Sequence, residues 1–318
     1  MSFREPLHFK PYLKPVLWGG TRIARAKGVA TAATDIGESW EVSVIPGHVS
    51  VVDRGEHSGE NLTALVERYS ESLLGSGSIR RHGRCFPLLI KFIEARDNLS
   101  LQVHPGDDLA GVRHGAPGKS ELWHIIDAEP GSKIYLGLRE RLDAAEYERR
   151  VADNTFMEAV ARYTPAPGDN FLVPAGRVHA IGAGVLLAEI QQSSDITYRI
   201  YDYDRRDTDG NPRPLHIAEA RDAIDFKVLP DYRLHAAGNI LADYNCFEVQ
   251  RIAVGTDAPT PFTPGRNSFT VVMNVGGEIT VDYDGGSTAL PFGDTLLFPA
   301  SLQPRAFRGR GTVLTAQA

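Results

Sequence analysis

Residues 168–179 read Gly-Asp-Asn-Phe-Leu-Val-Pro-Ala-Gly-Arg-Val-His, and the chain contains a second, similar stretch. Residues 293–304 read Gly-Asp-Thr-Leu-Leu-Phe-Pro-Ala-Ser-Leu-Gln-Pro. Both copies place Gly-Asp, four residues typical of a strand, and Pro-Ala followed by a small residue at the same spacing. The first copy ends in His179 and the second in Pro304, whose side chain has no lone pair to give a metal ion. The sequence therefore predicts a repeated β element that ends in a side chain able to bind a metal in the first copy and not in the second.

The composition is that of a β-rich globular protein. Of 318 residues, 42% are hydrophobic and 23% charged, which excludes disordered, collagen-like and coiled-coil chains. The 31 glycines and 20 prolines are spread between short β-branched and aromatic segments, as in strands joined by turns. Helical periodicity is confined to residues 61–74, 142–163 and 215–224. The middle segment predicts a pair of amphipathic helices inserted between strands.

Charge and cysteine usage restrict the partners and the location of the protein. The 34 Lys and Arg against 40 Asp and Glu give a net charge of −6, so there is no overall positive field for nucleic acid or an anionic membrane. Only Cys85 and Cys246 are present, which excludes a disulfide framework. No signal-peptide pattern and no run of about 18 apolar residues occur. We expect a cytoplasmic protein with a small-molecule partner, without nucleic-acid or membrane partners; the sequence leaves the oligomeric state open.

Four polar residues form a candidate metal site. Gln102 and His104 occupy positions i and i+2 of a strand, so their side chains point to the same face. Glu121 opens a following strand, and His179 ends the repeated element. Two imidazoles, a carboxylate and an amide oxygen suit a borderline divalent ion such as Zn²⁺, with one position left for water or substrate. We predict one zinc ion per chain.

Motifs along the whole chain resemble one protein family. The spacing of glycine, proline and histidine in residues 168–179 is similar to the second sequence motif of cupins. The dense polar run at residues 186–205, Leu-Leu-Ala-Glu-Ile-Gln-Gln-Ser-Ser-Asp-Ile-Thr-Tyr-Arg-Ile-Tyr-Asp-Tyr-Asp-Arg, resembles type I mannose-6-phosphate isomerase in its short bacterial form. The same likeness is found in order at residues 13–20, 37–41, 99–105 and 118–123.

This resemblance implies a fold and its division. The fold is mainly β, with two cupin-like jelly-roll β-barrels and a small inserted helical segment. Residues 1–230 form the catalytic barrel, with the helical insertion at about 139–163. Residues 231–318 form a degenerate C-terminal barrel that supports the first by packing.

The resemblance also implies roles for individual residues. Zinc is bound by Gln102, His104, Glu121 and His179. The active-site arginine of the family falls on Arg199, and Lys119 is the second residue expected to be catalytic. The residues expected to contact substrate are Ser100, Asp195 and Glu189.

The implied reaction is the zinc-dependent interconversion of mannose 6-phosphate and fructose 6-phosphate. It moves a proton between C1 and C2 through an enediol, whose developing oxyanion needs fixed positive charge from Arg199 and the metal. The proton-transferring group is open between Glu189, Asp195, Lys119 and a metal-bound water. The residues that hold the phosphate are also open.

Two other functions compete with this one. A cupin dioxygenase would use His104, Glu121 and His179 as the two histidines and one carboxylate typical of non-haem Fe(II). Gln102 argues against it, because a fourth protein ligand leaves fewer positions for oxygen. A non-catalytic sugar-phosphate-binding protein would not need a zinc shell. Trp123, close to Glu121, is expected on the opposite strand face, in the core.

Overall fold

The computed structural model describes residues 3–29, 35–206 and 210–318. The strands in these ranges are Leu7–Phe9 (β1), Tyr12–Gly20 (β2), Ile36–Val42 (β3), Val52–Arg54 (β4), Leu88–Ala95 (β5), Leu101–Val103 (β6), Glu121–Ala128 (β7), Ile134–Leu138 (β8), Val160–Tyr163 (β9), Asn170–Val173 (β10), His179–Ile181 (β11), Val185–Gln192 (β12), Tyr198–Tyr201 (β13), Ile240–Asp243 (β14), Glu248–Val254 (β15), Thr260–Pro261 (β16), Thr270–Tyr283 (β17), Gly286–Leu290 (β18), Thr295–Phe298 (β19) and Pro304–Gln317 (β20). The α-helices are Arg22–Ala26 (α1), Leu62–Leu74 (α2), Ser76–His82 (α3), Asp107–His114 (α4), Ala144–Ala152 (α5) and Ile217–Ala223 (α6). The predicted mainly β class is confirmed.

Three sheets lie in layers. A six-stranded sheet has the order β10-β7-β12-β5-β3-β2, and a five-stranded sheet has the order β13-β6-β11-β8-β9. Their facing side chains form one core, in which Trp123 and Leu187 of the first sheet pack with Leu136 and Ile181 of the second. The larger C-terminal sheet packs on the other face of the six-stranded sheet. In the described ranges the first and last strands of each sheet do not pair with each other. Each core is therefore enclosed between sheet faces and not inside a closed ring of strands.

The six-stranded sheet is covered on both faces, and its sequence reflects this. All eight residues of β5, Leu-Leu-Ile-Lys-Phe-Ile-Glu-Ala, are buried. A strand covered on both faces has a continuous apolar run instead of an alternating pattern. Lys91 and Glu94 interrupt that run, so each needs a partner inside the protein.

Two early strands belong to the C-terminal sheet. Leu7 of β1 pairs with Leu297 of β19, and β4 pairs with β1 on its other side. The proposed boundary near residue 230 falls between α6 and β14. Strand pairing therefore joins residues 7–9 and 52–54 to the C-terminal part of the chain.

The helical insertion is smaller than the sequence pattern indicates. α5 begins after Asp143, whose side chain accepts a hydrogen bond from the Glu146 peptide N–H as an N-cap. A short 3₁₀ turn follows at Phe156–Ala159, and the chain then enters β9. The prediction of a second amphipathic helix here is wrong, because Val160 pairs with Leu138 and extends the five-stranded sheet. The other two predicted helical segments contain α2 and α6.

Candidate metal centre and adjoining cavity

The candidate metal ligands come from two facing sheets. His179 of β11 pairs directly with Gln102 of β6, and His104 follows β6 by one residue. Glu121 is the first residue of β7 in the opposite sheet. The sandwich of these sheets thus brings together side chains that are up to 77 residues apart in the chain.

The ligand atoms of three of these residues form a tight buried cluster. Atoms of His104, Glu121 and His179 lie within 4.8 Å of one another, and each residue is 1% exposed. Glu121 Oε1 is 3.1 Å from His104 Nε2, and Glu121 Oε2 is 3.8 Å from His179 Nε2. The amide nitrogen of Gln102 is 3.3 Å from the same nitrogen of His179. A 180° rotation of the Gln102 amide would put its oxygen at the position of the amide nitrogen, next to the cluster.

Backbone carbonyl groups fix the orientation of both imidazoles. His104 Nδ1 donates to the carbonyl oxygen of Ile196 at 2.7 Å, and His179 Nδ1 donates to that of Arg177 at 2.8 Å. The proton of each neutral ring is therefore on Nδ1, which leaves the Nε2 lone pair directed at the cluster. Such outer hydrogen bonds are typical of metal-binding histidines.

The charge state of the cluster also fits a cation. Burial, followed by the nearby Lys119 ammonium, lowers the pKa of His104 to about 3, and burial lowers the pKa of His179. Burial acts to raise the pKa of Glu121, but Lys119 and then His104 outweigh it and hold this pKa well below its usual value. The carboxylate is thus ionised, and neither of its buried oxygens has a hydrogen bond of good geometry within the described part of the chain. An ionised carboxylate and two neutral imidazoles form a donor set for a divalent ion.

A cavity of about 380 Å³ opens beside this cluster. All five residues predicted from sequence to act on or contact substrate line it: Ser100, Lys119, Glu189, Asp195 and Arg199. Lys119 Nζ lies 2.9 Å from Glu121 Oε1 and 3.2 Å from His104 Nε2. Gln102 and Glu121 form part of the same wall. The cavity therefore gives a small molecule access to both the ligand cluster and the predicted substrate-side residues.

Arg199 lies beside the ligands in the five-stranded sheet. It pairs with Gln102 across from His179, so the three residues form a row on neighbouring strands. Burial, followed by the positive charge of Arg213, lowers the pKa of Arg199. Arg213 also lines the cavity and is held there by the carboxylate of Asp202. Two guanidinium groups thus face the same space.

Sequence reasoning missed a buried ion network on the opposite wall. Lys91 Nζ is 3.2 Å from Glu189 Oε2 and 3.3 Å from Glu38 Oε2, and all three residues line the cavity. Burial acts to lower the pKa of Lys91, but Glu189 and Glu38 outweigh it and raise this pKa. Burial acts to raise the pKa of Glu38, yet Lys91 and Lys14 lower it to about 2. The sequence does contain one signal for this network: Lys91 lies in the middle of a mostly apolar strand, where a buried lysine needs an acidic partner.

The prediction that Trp123 lies on the strand face opposite Glu121 is wrong. Glu121 and Trp123 are two residues apart on β7, so their side chains share a face. The indole Nε1 of Trp123 donates to Glu189 Oε1 at 2.8 Å and lines the cavity. Burial, followed by the negative charge of Glu121, raises the pKa of Glu189. Trp123 therefore orients the carboxyl group of Glu189 in addition to filling the core.

We expect the Lys91→Met substitution to destabilise the protein by about 3–5 kcal/mol, because it leaves the buried carboxylates of Glu38 and Glu189 without their shared cation. Lys14→Met is the matched control. Lys14 also contacts Glu38, at 3.2 Å, but its side chain is 36% exposed, so its loss should cost less than about 1 kcal/mol. Urea unfolding followed by circular dichroism measures both free energies. Equal losses for the two variants would contradict the buried network.

In the described part of the chain, no helix combines the length and the apolar character needed to cross a membrane.

Comparison with known proteins gives consistent matches. A family profile described as phosphomannose isomerase type I, catalytic domain, matches residues 7–122. Mannose-6-phosphate isomerase ManA of Bacillus subtilis is 39% identical over 228 residues, which span 71% of this chain and 70% of that protein. Mannose-6-phosphate isomerase of Streptococcus mutans is 37% identical over 220 residues, with 69% and 68% covered. The crystal structure of mannose 6-phosphate isomerase from Bacillus subtilis matches with a TM-score of 0.87 at 29% identity and covers 98% of this chain and 99% of that one.

Proposed function

Because this chain belongs to the type I phosphomannose isomerase family, we propose that it interconverts mannose 6-phosphate and fructose 6-phosphate at the cavity beside the ligand cluster. One observation carries the proposal. The cavity holds, side by side, a buried cluster with the chemistry of a divalent-metal site and two guanidinium groups that suit an anionic sugar.

We propose zinc as the metal, one ion per chain, held by Gln102, His104, Glu121 and His179. Nitrogen and oxygen ligands of this kind, with an open side toward a cavity, are typical of catalytic zinc. When bound, the ion would supply a Lewis acid that polarises a sugar oxygen. The buried, ionised carboxylate of Glu121 and the fixed Nε2 lone pairs of the two histidines support this ligand set.

For the proton transfer between C1 and C2 we propose Glu189. Its raised pKa brings the carboxyl group closer to neutral pH, where a group can both accept and return a proton. Trp123 holds one carboxyl oxygen and Lys91 contacts the other, so the group is oriented on the cavity wall. Asp195 and Lys119 line the same cavity and are the alternatives that mutagenesis would compare.

The positive groups on the cavity wall have two proposed tasks. Arg199, next to Gln102, stabilises the negative charge that develops on the enediol oxygen. Arg213 binds the phosphate group, and its guanidinium is held in place by Asp202. Ser100 and Asp195 contact sugar hydroxyl groups. We place the reaction in the cytoplasm, where the free thiols of Cys85 and Cys246 stay reduced.

Metal exchange under argon tests the reaction class. We expect chelation to abolish formation of fructose 6-phosphate from mannose 6-phosphate, and Zn²⁺ to restore it without oxygen. A parallel assay in air, with Fe²⁺ in place of Zn²⁺, follows fructose 6-phosphate and oxygen together, because two histidines and one carboxylate are also the donor set of Fe²⁺ dioxygenases. Oxygen-dependent turnover with Fe²⁺, or binding of mannose 6-phosphate without any turnover after zinc is restored, would contradict the proposed isomerase.

A further inference from the structure

A short segment, residues 214–216, lies along the open edge of the five-stranded sheet next to the cavity. β13 is the outermost strand of that sheet, with β6 on its inner side. On the outer side, the peptide N–H of His216 donates to the carbonyl oxygen of Arg199 at 2.7 Å. In return, the peptide N–H of Arg199 donates to the ring nitrogen Nδ1 of His216 at 3.2 Å. The two residues hold each other by a reciprocal pair of hydrogen bonds, one of them through a side chain.

The same segment also holds the guanidinium of Arg199. Nη1 donates to the carbonyl oxygen of Pro214 at 2.9 Å. Nε is buried and has no hydrogen-bond partner among residues 3–29, 35–206 and 210–318. Both Arg199 and His216 line the cavity. One side of the guanidinium fork is thus fixed by the segment, and Nε is left for an oxygen atom of a bound molecule.

His216 departs from the usual chemistry of its position. It is the N-cap residue of α6, where Ser, Thr, Asp or Asn normally accepts a hydrogen bond from the first turn. The imidazole makes no such bond, because its Nδ1 accepts from Arg199 instead. A residue at the N-cap position whose side chain bonds to another element, and not to the first turn of its own helix, is expected at a functional site.

We propose that His216 is a positioning residue for the isomerisation: its Nδ1 atom fixes the backbone of Arg199, so that the guanidinium stays in the cavity beside Gln102. This inference rests on the proposed function. Because Nδ1 is an acceptor, the neutral ring carries its proton on Nε2. A displacement of about 1 Å of a catalytic group can cost about 100-fold in rate, so the contribution of His216 falls on kcat more than on KM.

Isosteric substitutions separate the two ring nitrogens. In His216→Asn the amide oxygen replaces Nδ1 and keeps the acceptor for the Arg199 peptide N–H. In His216→Gln the amide reaches only the place of Nε2, and His216→Phe removes both nitrogens. We expect kcat to fall about 10- to 100-fold in H216F and H216Q with KM changed little, and H216N to stay within about 3-fold of the wild type. His235→Ala, at an exposed histidine paired with Asp231, is the control.

A double-mutant cycle with Arg199→Ala shows whether His216 acts through Arg199. If it does, H216F adds no further loss in the R199A background. Metal content and melting temperature are measured for each variant, so that unfolding is told apart from lost positioning. Two results would overturn this inference alone, provided that the wild type turns over normally. One is an equal loss of kcat in H216N and H216F, and the other is a wild-type kcat in H216Q. Absence of turnover in the wild type would overturn the proposed function and, with it, the inference.

Discussion

The substitution His179→Ala is expected to remove the metal ion and the activity together, with kcat/KM reduced by more than about 1,000-fold. His179 has one of the three buried candidate ligand atoms in the cluster, and its Nδ1 bond to Arg177 directs the other nitrogen at Glu121. Alanine removes that ligand and leaves the carboxylate of Glu121 with fewer partners. Metal content per chain by mass spectrometry and the rate of fructose 6-phosphate formation measure the two effects.

A second buried histidine provides the control for this experiment. His124 is 4% exposed, three residues after Glu121 on β7, and its Nδ1 bonds to the Asn170 side chain on the opposite strand face. His124→Ala should therefore keep the metal even if it lowers the melting temperature. One equivalent of metal retained in H179A, or loss of metal in both variants, would show that the ligand assignment is wrong.

The substitution Arg199→Ala is expected to separate catalysis from metal binding. Arg199 lines the cavity, and its hydrogen bonds outside the sheet are to His216 and Pro214 and not to the candidate metal ligands, so metal content should match the wild type. Loss of a fixed positive group at a developing oxyanion typically costs 100- to 1,000-fold, so we expect kcat to fall by about that factor.

Two further variants sharpen the result for Arg199. Arg199→Lys keeps the charge but loses the planar fork that donates to Pro214, so it should recover only part of kcat. Arg162→Ala, at an exposed arginine of β9 bonded to the Met157 carbonyl, controls for loss of a positive charge elsewhere. Wild-type turnover in R199A would remove Arg199 from the mechanism.

The candidate metal ligands could be selected from the sequence because they lie in short local patterns. Gln102 and His104 share a strand face by their spacing, and His179 ends a repeated motif. The contact between His179 and Gln102 was not predictable from spacing, since it depends on the register between strands that are far apart in the chain.

The features that could not be predicted from the sequence depend on contacts between strands that are distant in the chain. Lys91 lies in an apolar strand, and only the pairing of β5 with β3 and β12 brings it to Glu38 and Glu189. The local amphipathic pattern of the four residues of β9 is compatible with a helix. They form a strand because they pair with β8 at the edge of the five-stranded sheet. The position of Trp123 was predictable, because residues i and i+2 of a strand share a face and Trp123 is two residues after Glu121.

The pairing of β1 with β19 has a consequence for the synthesis of this protein. A ribosome makes residues 7–9 well before their partner at residues 295–298, because residues 10–294 lie between the two strands. β1 thus cannot pair with β19 until those residues have been made, and contacts of such long range form slowly. During that wait this edge of β1 is open to other chains, so we expect the segment to benefit from chaperone protection.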